Sequence, residues 1–408
     1  MRNVRDYAII TATYWAFTLS DGALRMLVLL HLHEQGFSPL SLAMLFVLYE
    51  FFGMVTNLLG GWLGAKHGLK LTLSCGLLLQ ILACTLLTIQ ASALTVPFVM
   101  AMQGLSGIAK DLTKMSSKSY IKMVVPDHDQ AGLLKWIAIL TGSKNTLKGV
   151  GFFLGGFLLT TVGFSGACLA MAISLGATWI ASMLALPTSP GKSQSTLTLS
   201  SLMPTDKRLK WLSLARLFLF GSRDAWFVVG LPIFLSTTLD WSFDEVGGFL
   251  ALWIIGYGIV QASAPKLIRA KNTGHKLPVS ARQLGLWKSA LMLPLFAIAA
   301  ALAFHLEPAT ALVIGLVIFA FIFAVNSAVH SYLVVAYAQE DKIALSVGFY
   351  YMSNAAGRLV GTVVSGAAYQ WSGQGAAGLL SCIAASILMV VVGSALCIPL
   401  HRAEENFS

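Results

Sequence analysis

Charged residues are scarce in this chain. Only 11% of its 408 residues are Asp, Glu, Lys or Arg, whereas 57% are hydrophobic and the mean hydropathy is +0.77. Soluble domains carry about 25% charged residues, so this composition excludes a soluble globule and indicates a polytopic membrane protein. The formal net charge of +10 is then a topology signal rather than a sign of nucleic-acid binding, because most basic residues lie in alternate connections between apolar segments.

Cysteine is also rare. The five cysteines all lie in apolar segments and show no Cys-x-x-Cys spacing, so neither a disulfide framework nor a thiolate metal site is expected. The chain also lacks the sequence motifs of serine hydrolases, zinc proteases, P-loop proteins and dinucleotide-binding enzymes. We therefore predict a protein that is not an enzyme and that needs no cofactor or metal.

Twelve apolar segments are long enough to cross a hydrocarbon core of about 30 Å, which takes about 20 helical residues. They span residues 7–31, 39–62, 70–90, 94–119, 136–161, 164–186, 211–236, 244–266, 287–305, 309–338, 343–369 and 374–400. Lys and Arg accumulate in alternate connections, which predicts that both termini are cytoplasmic. The first segment is too long for a cleavable signal peptide and contains Asp21 and Arg25, so we expect it to remain as a span.

A polar stretch divides the twelve segments into two groups of six. It is rich in Ser and Thr and contains Pro187 and Pro190, as a linker should. We therefore predict an N-terminal six-helix bundle, a cytoplasmic linker and a C-terminal six-helix bundle. Their bounds are 1–186, 187–210 and 211–408.

Charge placement relates the two halves. Asp21 and Arg25 in the first segment correspond to Arg223 and Asp224 in the seventh, a weak internal symmetry of the kind found in duplicated transporter halves. The third, sixth, ninth and twelfth segments show no charged interior residue, so we expect them to face lipid around the other eight. This arrangement resembles the major facilitator superfamily. The resemblance implies an all-α polytopic membrane protein with 12 transmembrane helices in two six-helix halves.

Apart from residues at the segment ends and Arg216, one turn into the seventh segment, seven basic residues lie inside the apolar segments: Arg25, Lys110, Lys114, Lys144, Lys148, Arg223 and Arg358. Each would cost roughly 3 kcal/mol at the bilayer centre, so the set cannot face lipid. We predict that these side chains line a cavity and bind a small anionic substrate. Arg25 and Arg223 would grip an oxyanion from opposite halves, because planar guanidinium groups suit phosphate and arsenate. Structural pairing with carboxylates is the alternative for the four lysines.

Four carboxylates lie in the same segments: Asp21, Glu50, Asp111 and Asp224. They are predicted either to pair with the basic residues or to carry protons in a transport cycle, and Asp21 and Arg25 could simply neutralise each other. His330 is a second candidate proton carrier, with a hydrogen-bonded structural role as its alternative. Tyr14 and Asn145 are predicted to contact substrate, with packing as the alternative for Tyr14.

Five stretches resemble one subfamily, the ArsJ organoarsenical efflux permeases. They are residues 14–25, 49–57, 105–111, 139–145 and 215–224. The resemblance implies a monomer in the bilayer of the bacterial inner membrane that exports 1-arseno-3-phosphoglycerate. It also implies functional coupling to a glyceraldehyde-3-phosphate dehydrogenase, which forms this ester from arsenate, and hence arsenate resistance. An organophosphate or sugar-phosphate antiporter of the same superfamily is the alternative, since direction cannot be inferred from these residues.

Overall fold

The computed structural model describes residues 2–67, 69–89, 94–121, 130–186, 206–268, 279–304, 306–338 and 343–406. All regular elements in these ranges are α-helices. They are α1 (Arg2–Glu34), α2 (Pro39–Leu45), α3 (Val47–His67), α4 (Leu69–Ile89), α5 (Val96–Ile121), α6 (Gln130–Ala185), α7 (Lys207–Phe227), α8 (Gly230–Thr237), α9 (Phe243–Leu267), α10 (Ala281–Ala290), α11 (Met292–Ala303), α12 (Pro308–Ala336), α13 (Ile343–Trp371), α14 (Gly375–Ala395) and α15 (Cys397–Glu405).

These helices form twelve membrane-length segments in the described part of the chain, and the predicted fold class is confirmed. Eight helical segments are long and apolar enough to span a bilayer by length and composition. One of them, Lys135–Ala185, supplies two spans, because Gly163 interrupts it with a backbone φ of 70° that favours glycine. The helices α1, α5 and α13 have 33, 26 and 29 residues and add three charged spans.

Several predicted spans are broken rather than continuous. The seventh divides into α7 and α8 around Val229, whose φ of −129° and ψ of −54° are not helical. A helix start leaves backbone N–H groups without intrahelical partners. Here the Ser365 hydroxyl accepts from the N–H groups of Val229 and Gly230 at 3.3 and 3.0 Å. The helix α7 itself begins at Lys207, capped by Asp206, four residues before the predicted start of this span; most of the predicted linker, 187–205, lies outside the described residues.

The two halves meet along two seams. Within the N-terminal half α1 packs along α6 and α3 along α5, and within the C-terminal half α7 packs against α13 and α14. Between the halves, α6 packs on α9 and α3 packs on α13. Glycine permits close approach at both seams: a Cβ at Gly142 would lie 2.5 Å from the Gly258 carbonyl oxygen, and one at Gly348 would lie 2.8 Å from that of Asn57.

One buried cation lies where none was expected. The prediction that the ninth span has no charged interior residue is wrong at Lys288, which is fully buried in α10. Its ammonium donates to the carbonyl oxygens of Ala215 at 2.5 Å and Gly393 at 3.3 Å. Backbone carbonyls therefore satisfy a charge that sequence alone assigned to a loop.

Candidate substrate-binding site

A cavity lies between the two halves and is bordered by both seams. It has a volume of about 100 Å³, and α1, α3, α5, α6, α7, α8, α9, α12 and α13 contribute its walls. All seven of the predicted basic residues line it, together with Arg216. The basic lining residues are Arg25, Lys110, Lys114, Lys144, Lys148, Arg216, Arg223 and Arg358.

Asp21 and Lys148 join α1 to α6 on the N-terminal side. The Lys148 ammonium lies 3.5 Å from the Asp21 carboxylate, which also accepts a 2.6 Å hydrogen bond from the Tyr49 hydroxyl. Arg25 instead contacts Glu50, at 3.3 Å. The alternative in which Asp21 and Arg25 neutralise each other is therefore wrong, because each one pairs with a residue on another helix.

Asp111 organises the two lysines of α5. Lys114 donates to one Asp111 oxygen and to the Asn57 side-chain oxygen, so it is fixed between α5 and α3. The Lys110 ammonium lies 3.6 Å from the other Asp111 oxygen and 3.9 Å from the centre of the Tyr49 ring. These lysines are thus both paired and cavity-lining, so the two interpretations of them are compatible.

An ion-pair chain crosses from one half to the other. Arg358 in α13 contacts Glu50 in α3 at 2.6 Å and Asp224 in α7 at 3.1 Å. Arg223 contacts the same Asp224 carboxylate at 2.5 Å. Both carboxylates have no solvent exposure, and Glu50 also contacts Arg25. A buried ion pair is stable only when both partners remain in place, so the contact between Arg358 and Glu50 joins the two halves electrostatically.

Arg216 is the cavity residue that sequence analysis missed. It lies beside the predicted start of the seventh span, where it was not assigned to the cavity. Its position seven residues before Arg223 could have revealed it, since two helical turns return a side chain to the same face. Its guanidinium donates to the Asn354 side-chain oxygen at 2.8 Å and to the Ser327 hydroxyl at 3.1 Å, and it stacks 3.9 Å above the Phe220 ring.

The balance of charge around the cavity is strongly positive. Among the described residues, eight basic side chains line it, and the four carboxylates Asp21, Glu50, Asp111 and Asp224 pair with six of them. These twelve groups together leave four formal positive charges in excess. One Arg25 nitrogen, Nη2, is buried with no hydrogen-bond acceptor in the described part of the chain. A buried donor of this kind is expected to find a ligand or water, and the excess charge selects an anion.

The remaining predicted residues divide between the cavity and the packed interior. Tyr14 lines the cavity, as does Asn145, whose amide donates to the Gln261 side chain at 2.5 Å across the seam of α6 and α9. Asp21 and Glu50 lie behind the lining residues. His330 is fully buried within the C-terminal half, 6.3 Å from the Tyr350 ring, and does not line the cavity. No cluster of His, Cys, Asp and Glu in the described ranges could hold a metal ion.

Comparison with known proteins places this fold. The family model described as Major Facilitator Superfamily matches residues 10–299. A bacterial homologue of the iron transporter ferroportin, in an outward-facing state with soaked iron, is similar in structure with a TM-score of 0.67 and 14% identity, over 97% of this chain and 98% of that one. The human organic anion transporter MFSD10 (TETRAN) is similar with a TM-score of 0.69 and 15% identity, over 97% and 100%. No curated protein matches this sequence.

Proposed function

Because this chain belongs to the Major Facilitator Superfamily, we propose that it is a secondary active transporter for a multiply charged organic oxyanion. The two halves would alternate in exposing the central cavity to either side of the membrane. In this scheme the α3–α13 and α6–α9 seams are the surfaces that separate and close.

The observation that supports this substrate class is the excess of four positive charges at the cavity. Phosphate groups carry roughly −1.5 to −2 at neutral pH, so an ester with an oxyanion group at each end would neutralise most of this excess. A neutral or cationic substrate would leave it uncompensated inside the membrane. Arg25 and Arg223, facing the cavity from opposite halves, offer the planar donors that such groups accept.

The specific substrate that we propose is 1-arseno-3-phosphoglycerate, carried outward across a bacterial inner membrane. Its charge of roughly −3 to −4 fits the excess at the cavity. The resemblance of residues 14–25 and 215–224 to organoarsenical efflux permeases supports the same choice, and those stretches contain both Arg25 and Arg223. Export would confer arsenate resistance when a glyceraldehyde-3-phosphate dehydrogenase supplies the ester.

Everted membrane vesicles test this proposal. Vesicles with the wild-type protein receive arsenate, glyceraldehyde 3-phosphate, the nicotinamide cofactor and the dehydrogenase, and arsenic accumulation is followed as each component is left out. Accumulation that requires every component would support export of the arsenylated ester. Vesicles that contain the Arg223→Ala protein serve as the control for leakage.

Two other outcomes would replace the proposal. Accumulation of arsenic without the dehydrogenase would indicate transport of the inorganic oxyanion. Exchange of a sugar phosphate for inorganic phosphate, with no arsenic accumulation, would indicate the organophosphate antiporter instead.

A further inference from the structure

Arg216 differs from most of the cavity's basic residues in its partners. Six of the eight contact a carboxylate: Arg25, Lys110, Lys114, Lys148, Arg223 and Arg358. Arg216 is 3% exposed, and its hydrogen bonds go to neutral acceptors on α12 and α13. A guanidinium held this deep without a counter-charge costs several kcal/mol in stability. An anionic ligand would remove that cost.

The partners of Arg216 leave part of its guanidinium available. Its Nε donates to Asn354 and its Nη1 to the Ser327 carbonyl and hydroxyl oxygens, at 2.8, 3.4 and 3.1 Å. Its Nη2 takes part in none of these hydrogen bonds within the described ranges, and the residue lines the cavity. The Ser327 hydroxyl also accepts from Gln261 at 3.1 Å, which holds that hydroxyl in place. Hydrogen bonds to α12 and α13 therefore orient the guanidinium before any ligand binds, and its Nη2 remains available.

The spacing along α7 gives the size of the ligand. Arg216 and Arg223 are separated by two turns, so they lie on one face about 10 Å apart along the axis. Arg223, Arg358 and Arg25 form one layer, in which Asp224 joins the first two and Glu50 joins the last two. Arg216 and its acceptor Asn354 form a second layer, two turns away along α7. A three-carbon chain with an anionic group at each end could contact both layers. An anion with a single charged group could contact only one.

We propose that Arg216 binds the second anionic group of a two-headed substrate, while Arg25 and Arg223 bind the first. This inference rests on the proposed function and adds a rule for substrate selectivity: the number of anionic groups on the substrate. The protein should prefer three-carbon compounds with anionic groups at both ends to those with one. Arg216 should determine that preference, because it contacts only the second anionic group.

Two probes that share a carbon chain test the rule. 3-Phosphoglycerate has a phosphate at one end and a carboxylate at the other, whereas glycerol 3-phosphate has a hydroxyl in place of the carboxylate. Their dissociation constants would be measured by calorimetry on purified wild-type, Arg216→Gln and Arg216→Lys proteins. We expect the wild-type protein to bind 3-phosphoglycerate about tenfold more tightly. Arg216→Gln should remove that ratio by weakening 3-phosphoglycerate about tenfold more than glycerol 3-phosphate, and Arg216→Lys should keep part of the ratio.

Arg208→Gln is the matched control. It removes an arginine from the same helix, where Arg208 contacts Asp206 at 2.7 Å at the helix start and away from the cavity. It should leave both affinities unchanged. Arg208→Gln thus shows whether an effect of Arg216→Gln arises from removing any positive charge on α7 or only from removing one at the cavity.

The results separate this inference from the proposed function. Equal wild-type affinity for the two probes would overturn the inference while leaving anion transport in place. Equal weakening of both probes in Arg216→Gln would also overturn it and give Arg216 a structural role. Failure of the wild-type protein to bind either probe would overturn the proposed function, and the inference with it.

Discussion

The two halves of this protein treat buried charge differently. The N-terminal half brings four lysines and Arg25 to the cavity and holds three carboxylates, Asp21, Glu50 and Asp111, among them. The C-terminal half brings three arginines and one carboxylate, Asp224. Lysine is a compact point charge, whereas arginine offers a planar fork. Each half therefore has an excess of two formal positive charges, but the N-terminal half supplies its charge mainly as lysine point charges and the C-terminal half supplies it only as planar guanidinium groups.

This difference makes one half depend on the other. Asp224 contacts both Arg223 and Arg358, and the second carboxylate on Arg358 is Glu50 from the N-terminal half. Arg358 thus contacts its second carboxylate only when the halves are together. Under the proposed function, substrate and Glu50 would compete for the same guanidinium, so substrate binding would loosen the contact between α3 and α13.

Removing Glu50 should have the largest effect. Glu50→Gln leaves Arg25, Lys110 and Arg358 without a shared counter-charge, and breaking a buried ion pair typically costs about 3–5 kcal/mol. We expect a markedly lower thermal unfolding midpoint for the detergent-solubilised protein and no transport in vesicles. Asp244→Asn, at an exposed carboxylate, is the control and should unfold like the wild type. Wild-type stability in Glu50→Gln would contradict the dependence of one half on the other.

The arginine pair should come next, through transport rather than folding. Arg25→Ala or Arg223→Ala should each lower the initial transport rate about a hundredfold at normal membrane levels, since each removes a charge-assisted contact with the substrate. Lysine at either position should restore little, because it lacks the bidentate geometry. The measurement is uptake into everted vesicles, normalised to protein by immunoblot. Full activity in either alanine variant would rule out a grip from both halves.

The seam between α6 and α9 should have a smaller effect. Gly142→Ala puts a methyl group 2.5 Å from the Gly258 carbonyl oxygen, and overpacking of this kind costs about 1–3 kcal/mol. Transport should fall about tenfold, because the closed arrangement becomes less populated. Gly256→Ala is the matched control on α9, where a Cβ meets nothing within 4 Å. Equal rates in the two variants would show that this contact is not needed.

Much of the fold follows from local sequence, because a span needs only a sufficient apolar run. The breaks were not predictable in the same way. The junction of α7 and α8 depends on Ser365, a residue far along the chain whose hydroxyl accepts the freed N–H groups. The break at Gly163 in α6 is the exception, because the predicted segments 136–161 and 164–186 already meet there.

The cavity residues could be identified from sequence, but their pairing could not. A basic residue in an apolar run must avoid lipid, so Arg25, Lys148 and Arg358 were recognisable one at a time. Their partners lie on other helices, and helical spacing suggested only the local pair of Asp21 and Arg25. Arg216 was missed because its helix begins earlier than hydropathy predicts, at Lys207.

Replacing Lys288 should have the smallest effect on transport. The variant tests whether a buried charge outside the cavity is needed for function. Lys288 belongs to the C-terminal half but donates only to backbone carbonyls and is not a cavity-lining residue. Lys288→Met keeps a side chain of similar length but removes two hydrogen bonds, a loss of about 1–3 kcal/mol in the free energy of unfolding. Burying an apolar side chain costs less than burying an ammonium group, and this difference offsets the loss. Vesicle transport should stay within about twofold of wild type. A loss comparable to that of Arg223→Ala would mean that transport also depends on a buried charge outside the cavity. It would contradict the comparison of the two halves, which counts only their cavity-lining charges.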